Sequence, residues 1–205
     1  MSTVAIIDYK LCNVHSVKAA VEKCGFGAVI TDQPEEIREA SHIILPGVGS
    51  FADAMSNLHA ANLVDVIRTE VAKNTPFLGI CLGMQLMATY GEEGGATDGL
   101  GLIEGDVIRL KATDLKERIP HIGWNEVHIV KDSPLMKEIS NDRDFYFVHS
   151  YHMKLKNTDD IIATTPYCGS FAAVIGHGNI FGTQFHPEKS QKLGLQLLKN
   201  FLTLS

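Results

Sequence analysis

The 205-residue chain carries 18 basic and 24 acidic residues, a net charge of −6, with no Lys/Arg stripe, so composition gives no support to a nucleic-acid or membrane-surface role. Its length suits a single domain over 1–205 with a sizeable core, and no apolar run approaches the ~18 residues of a membrane span. The start Met1-Ser2-Thr3-Val4 lacks a charged region ahead of a signal-type core, and Cys12, Cys24, Cys81 and Cys168 show no CxxC spacing, which together predict a cytosolic chain in a reducing compartment.

The first half alternates apolar runs with helical periodicity. Val4-Ala5-Ile6-Ile7 reads as a strand, followed by a helix with Val14, Val17, Val21 and Cys24 on one face, stopping at Gly25. A strand near Ala28-Val29-Ile30, a short helix near Pro34 to Arg38, and the run His42 to Leu45 lead into Pro46-Gly47-Val48-Gly49-Ser50-Phe51. Helices over Phe51 to His59 and Leu63 to Lys73 precede a strand through Pro76-Phe77-Leu78 that is predicted to end at Ile80. Strands alternating with helices imply an α/β fold, a mostly parallel central sheet flanked by helices, with the site in the loops after Ile7, Leu45 and Ile80.

The second half changes character. Gly91-Glu92-Glu93-Gly94-Gly95 has no periodicity and reads as a mobile loop. Strand-like stretches follow at Asp106 to Leu110, Glu126 to Val130, Asp144 to Val148, Ile161 to Thr165, Phe171 to Ile175 and Ile180 to Phe185, an additional antiparallel region with a hairpin at His177-Gly178-Asn179. A closing helix from about Ser190 carries Leu193, Leu197, Phe201 and Leu202 as a stripe that packs on the sheet.

Chemistry concentrates at Gly79-Ile80-Cys81-Leu82-Gly83-Met84-Gln85. A strand ending at Ile80 and a helix beginning near Gly83 leave a sharp corner for Cys81, which pushes its sulfur out at the strand's carboxyl end. A helix N-terminus beside a thiol lowers its pKa from about 8.5 towards neutrality, and an imidazole partner lowers it further. In serine hydrolases the same corner is the nucleophile elbow, whose oxyanion hole uses the next residue's N–H, here that of Leu82. A Cys between glycines is by itself weak evidence for catalysis. His186 changes the weighing, since it follows the apolar strand Ile180 to Phe185 and precedes Pro187-Glu188, so that Glu188 can orient the ring; Cys81, His186 and Glu188 then form a generalised Cys-His-acid set. The other three cysteines read as small apolar residues. His149 and His152 have loose spacing and no third ligand, so no metal is expected, and no cofactor is called for.

Gly79-Ile80-Cys81-Leu82-Gly83-Met84-Gln85 with Gln184-Phe185-His186-Pro187-Glu188 resembles the class I (triad) glutamine amidotransferase family over nearly the whole chain. Pro46-Gly47-Val48-Gly49-Ser50-Phe51, Pro120-His121-Ile122-Gly123-Trp124-Asn125 and Tyr146-Phe147-Val148-His149-Ser150-Tyr151 narrow the resemblance to the glutaminase subunits of imidazole glycerol phosphate synthases. The resemblance implies that Cys81 attacks the side-chain amide of glutamine and that His186 protonates the departing ammonia, with Val48, Gly49 and Leu82 at the oxyanion hole. It implies further that Gly49, Gln85, Glu93, Ser150 and Tyr151 hold the glutamine's amino-acid end. Asn13, Trp124 and Lys189 match positions facing a (β/α)8-barrel cyclase partner in a heterodimer that makes imidazole glycerol phosphate and AICAR in histidine biosynthesis.

One departure stands out: the family usually has glycines where this chain has Lys10 and Cys12, in a loop bordering that interface. This leaves open a paralogous glutaminase that supplies ammonia to a sugar amidotransferase in surface-glycan biosynthesis, ranked behind histidine biosynthesis. A different class of protein on related folds, the redox-sensing, chaperone-like or peptidase proteins with an elbow cysteine, lacks a glutamine pocket; Gln85 and His186-Pro187-Glu188 argue against it.

Overall fold

The computed structural model describes residues 3–204; Met1 and Ser2, on which part of the leader reading falls, lie outside the described residues. The chain runs β1 (Thr3–Ile7), α1 (Val14–Lys23), β2 (Gly27–Thr31), α2 (Pro34–Arg38), β3 (His42–Gly47), α3 (Phe51–Ala60), α4 (Val64–Ala72), β4 (Phe77–Cys81) and α5 (Leu82–Leu86). It continues through β5 (Tyr90–Gly91), β6 (Thr97–Asp98), β7 (Gly105–Arg109), β8 (His121–Ile129), β9 (Arg143–His149), β10 (Tyr151–Leu155), β11 (Ile161–Thr165), β12 (Phe171–His177), β13 (Ile180–Thr183) and α6 (Gln191–Leu202). Nine strands form one sheet in the order β2-β1-β3-β4-β13-β12-β11-β8-β9, and β10-β7-β5-β6 form a smaller one. The pairs among β2, β1, β3, β4 and β13 are parallel, whereas those from β13 outwards to β9 are antiparallel.

Side-chain alternation divides the core into two layers. In β1, Ala5 and Ile7 face one cluster with α3, α4 and α5, while Val4 and Ile6 face the other with α1 and α6. Burial on both faces explains why these strands read as continuous apolar runs. The closing stripe does pack there: Leu197, Phe201 and Leu202 are buried and Leu193 is partly so. Helix starts follow local chemistry, with Pro34 opening α2 and the Ser50 hydroxyl accepting the Asp53 N–H at the head of α3.

Several expectations shift. Strand β4 extends one residue further, to include Cys81, and the following helix is only the five residues Leu82–Leu86. Strand β8 reaches back to His121, through a Gly123 at φ +135° and polar Asn125 that break the apolar pattern. Strand β10 was not expected, because of its residues only Met153 is buried. The segment read as a mobile loop is tied down in part: Gly91 pairs with Thr97 and Val107, the Glu92 carboxylate accepts the Arg109 N–H at 2.7 Å, and that of Glu93 accepts the Phe51 N–H at 3.3 Å. Lys10, one of the departures from the family pattern, has φ +72°, a left-handed backbone suited to glycine.

Two features of the sheet place the site. Register sets Gly47 of β3 directly beside Cys81 of β4, and β13 lies on the other side with Thr183 paired to Ile80, so Gln184 leaves the sheet next to the cysteine. The turn after Cys81 is so close to β3 that a Cβ on Gly83 would lie 1.7 Å from the Leu45 carbonyl oxygen, a contact no side chain tolerates.

Candidate active site

Cys81 has φ 54° and ψ −109°, a backbone that L-residues rarely adopt and that is concentrated at functional corners. It is 5 % exposed, and α5 begins at the next residue, so the Leu82 N–H is among the first amides of a helix and lacks an intrahelical acceptor. Two contacts fix the sulfur: a long approach to the Val148 carbonyl at 3.8 Å and the Gln184 side-chain amide donating to it at 3.7 Å.

His186 and Glu188 meet as their spacing predicts. His186 Nδ1 lies 2.8 Å from Glu188 Oε1, and both side chains are nearly inaccessible. Nε2 is buried and makes no well-aligned hydrogen bond. Burial disfavours the charged ring, but the sulfur of Cys81 and the carboxylate of Glu188 outweigh it and push His186 up to about 9.

A cavity of about 180 Å³ opens onto the cysteine, lined by Val48, Gly49, Cys81, Leu82, Gln85, Glu93, Val148, His149, Ser150 and Tyr151. The residues that the resemblance assigned to the substrate are therefore gathered in one place. Within it Gln85 has a fixed orientation. Its Nε2 donates to the Tyr151 carbonyl at 2.8 Å and to Gln184 Oε1 at 3.1 Å, which uses both amide hydrogens and leaves Oε1 as an acceptor. Burial raises the Glu93 pKa, opposed by the Phe51 N–H.

The Gly47-Val48-Gly49 loop is placed differently from a ready oxyanion hole. The Val48 N–H donates to the Leu11 carbonyl at 2.8 Å, so that amide is turned towards the loop after β1 and away from the sulfur, and Gly49 takes φ +106°. Of the three oxyanion-hole residues expected, Leu82 alone has its amide at the helix start beside Cys81, and Val48 would need its peptide turned over.

The residues expected at a partner face are exposed. Trp124, 49 % exposed, stands edge-on to Tyr146 at 6.0 Å, and Lys189 Nζ lies 5.9 Å from the same ring. Asn13 directly precedes α1, and its side-chain oxygen accepts the Ser16 hydroxyl at 3.2 Å. Sequence reasoning missed Gln184 as a site residue; its place directly ahead of Phe185-His186 was the available signal. Among the described residues no group of three or more His, Cys, Asp or Glu could hold a metal ion, and no helix is long and apolar enough to cross a membrane.

Residues 5–204 match the family described as glutamine amidotransferase class-I, and the chain belongs to that family. It is 47% identical over 202 residues, covering 98% of this chain and 100% of the relative, to imidazole glycerol phosphate synthase subunit HisH 1 of Campylobacter jejuni. It is also 47% identical over 201 residues, covering 98% of this chain and 94% of the relative, to imidazole glycerol phosphate synthase subunit HisH of Moorella thermoacetica. Among solved structures, a glutamine amidotransferase superposes with a TM-score of 0.76 at 17% identity, covering 97% of this chain and 96% of that one. PurLQS from Thermotoga maritima gives 0.76 at 17% identity, covering 98% and 97%. At such identities the likeness concerns the fold.

Proposed function

We propose that this chain is the glutaminase subunit of an imidazole glycerol phosphate synthase, releasing ammonia from glutamine and passing it to a (β/α)8-barrel cyclase partner in histidine biosynthesis. The observation that carries the chemistry is the buried Cys81 at its strained corner, opening onto a pocket that Gln85 also lines, with the His186–Glu188 pair close enough for its sulfur to act on the ring. The full-length likeness to the two relatives favours this pathway over the surface-glycan alternative.

The sequence of events follows from the groups present. The Cys81 thiolate adds to the amide carbon of glutamine, and the resulting oxyanion is met by the Leu82 N–H. Imidazolium at His186 gives its proton to the departing nitrogen, and ammonia leaves a glutamyl thioester. Water then loses a proton to His186 as it attacks the thioester carbon, and glutamate departs with the thiol restored. One oxyanion-hole donor is worth roughly 2.7–4 kcal/mol in other hydrolases, so the turned-away Val48 amide leaves the isolated chain short of a large stabilising term.

That shortfall supplies a reason for coupling. A partner that grips the loop after β1 and the exposed Asn13, Trp124 and Lys189 can favour the loop state in which the Leu11 carbonyl releases the Val48 N–H. Raising a competent fraction from about one in a hundred to near full occupancy takes roughly 5.5 kcal/mol of differential binding. Glutamate release should therefore be slow for the isolated chain, faster with the cyclase, and fastest with the cyclase and its acceptor substrate. Equal rates in all three would point to an independent glutaminase.

A further inference from the structure

At the wall of the pocket, which His149 lines, stands a pair of buried histidines that the reaction steps do not use. His121 Nδ1 and His149 Nε2 are 3.0 Å apart, with both side chains almost wholly inaccessible. Their proton positions follow from their outer partners. The Tyr151 carbonyl, 2.8 Å from His149 Nδ1, can only accept, so Nδ1 carries the hydrogen and Nε2 the lone pair. His121 must then donate from Nδ1 and accept at Nε2. At 3.2 Å from that Nε2 stands Asn125 Nδ2, and the Asn125 amide is held in this sense because its Oδ1 accepts the Glu126 N–H at 2.9 Å. The His121 ring is stacked between Tyr167, with centroids 4.0 Å apart, and Phe147, at 4.9 Å, which leaves it no room to turn. Burial keeps both rings neutral, with His121 down at about 4 and His149 at about 3.

The same Tyr151 carbonyl accepts from Gln85 Nε2, and Gln85 in turn donates to Gln184, whose amide donates to Cys81 Sγ. We propose that Asn125, His121 and His149 form a one-directional hydrogen-bond relay that positions the Tyr151 carbonyl, and through it the Gln85 amide, so that Gln85 Oε1 is presented to the ammonium of the bound glutamine. His121, His149 and Asn125 are thus positioning residues. The relay rests on the glutaminase reading, and it starts one residue from the exposed Trp124, which gives the proposed partner face a structural route to the glutamine pocket. Fixed polarity is what makes it sensitive: reversing one donor leaves two lone pairs or two hydrogens facing each other in a dry interior.

The test is glutamine affinity in a Cys81→Ala background, which reads binding without turnover. His121→Phe keeps the stacking and removes both hydrogen bonds. Asn125→Asp, less buried, reverses polarity at the head of the relay and serves if the first variant does not fold. Each should weaken glutamine binding by about tenfold, the effect of one buried hydrogen bond, and His121→Asn should recover part of it. In the complex with the cyclase, His121→Phe should raise KM for glutamine with kcat within about twofold, the signature of lost ground-state binding. Unchanged affinity in a folded His121→Phe or Asn125→Asp protein, or a fall in kcat at unchanged KM, would overturn the relay. Failure of the Cys81→Ala protein itself to bind glutamine would instead overturn the glutaminase reading, and the relay with it.

Discussion

Cys81→Ala abolishes glutamine-dependent synthesis by the complex, by about 10⁴-fold or more, while ammonia-dependent synthesis stays within about twofold of wild type. The size follows from the loss of the proposed nucleophile, since Cys81 sits at the carboxyl end of β4 with the first amide of α5 beside it. The selectivity follows from the proposed separation of the two half-reactions, in which the cysteine serves ammonia release and a partner with its own active site would consume ammonia from any source. Cys81 is buried, but its replacement by alanine removes a single sulfur atom, so the cavity left is small and the fold should be kept. Rates with glutamine and with ammonium salt, measured on the same preparation, decide it; glutaminase activity at the wild-type rate would contradict the assignment.

His186→Ala should cost nearly as much as loss of the nucleophile, and Glu188→Gln one to two orders of magnitude less, the ratio seen between the base and the acid of a well-studied hydrolase triad. In the proposed reaction the ring transfers the proton, whereas the carboxylate, 2.8 Å from Nδ1, orients and supports it. His186 also carries a pH signature. Its pKa of about 9 in the folded chain exceeds the ~6.5 of an unperturbed imidazole. A raised folded value contributes stability that is fully present below pH ~6.5 and is lost as pH rises through about 9. The thermal midpoint of the wild type should therefore lose ground to that of His186→Ala across this alkaline window. Equal, small effects of both substitutions on turnover, or midpoints that run parallel with pH, would remove the triad.

The parallel half of the sheet was legible because its strands are buried on both faces and punctuated by helices with clear stripes, as with Val14, Val17 and Val21. The corner at Cys81 was legible because an apolar run gives way there to a helical pattern, with glycines at 79 and 83 where the close packing of strand and helix leaves no room for a Cβ. Strand β10 was hidden because Tyr151, His152, Lys154 and Leu155 are not buried and give no apolar alternation; its pairing with β7 depends on register rather than composition. The histidine pair was invisible for the same kind of reason. His121 and His149 are 28 positions apart and meet only because β8 and β9 pair with His121 opposite His149. Likewise no sequence signal announces that the Val48 amide faces Leu11, since a peptide's orientation in a glycine-flanked loop is a local choice with little consequence for packing.

Glutamine hydrolysis by this chain requires Cys81 as the proposed nucleophile. The direct measurement is covalent labelling with a chloroketone analogue of glutamine, in which an electrophilic carbon replaces the side-chain amide, followed by peptide mapping by mass spectrometry in the presence of the cyclase partner. One adduct per chain is expected, carried by Cys81 alone although Cys12, Cys24 and Cys168 are also free thiols, and suppressed by glutamine. Labelling spread over the other cysteines, or labelling of Cys81 that glutamine does not suppress, would contradict it.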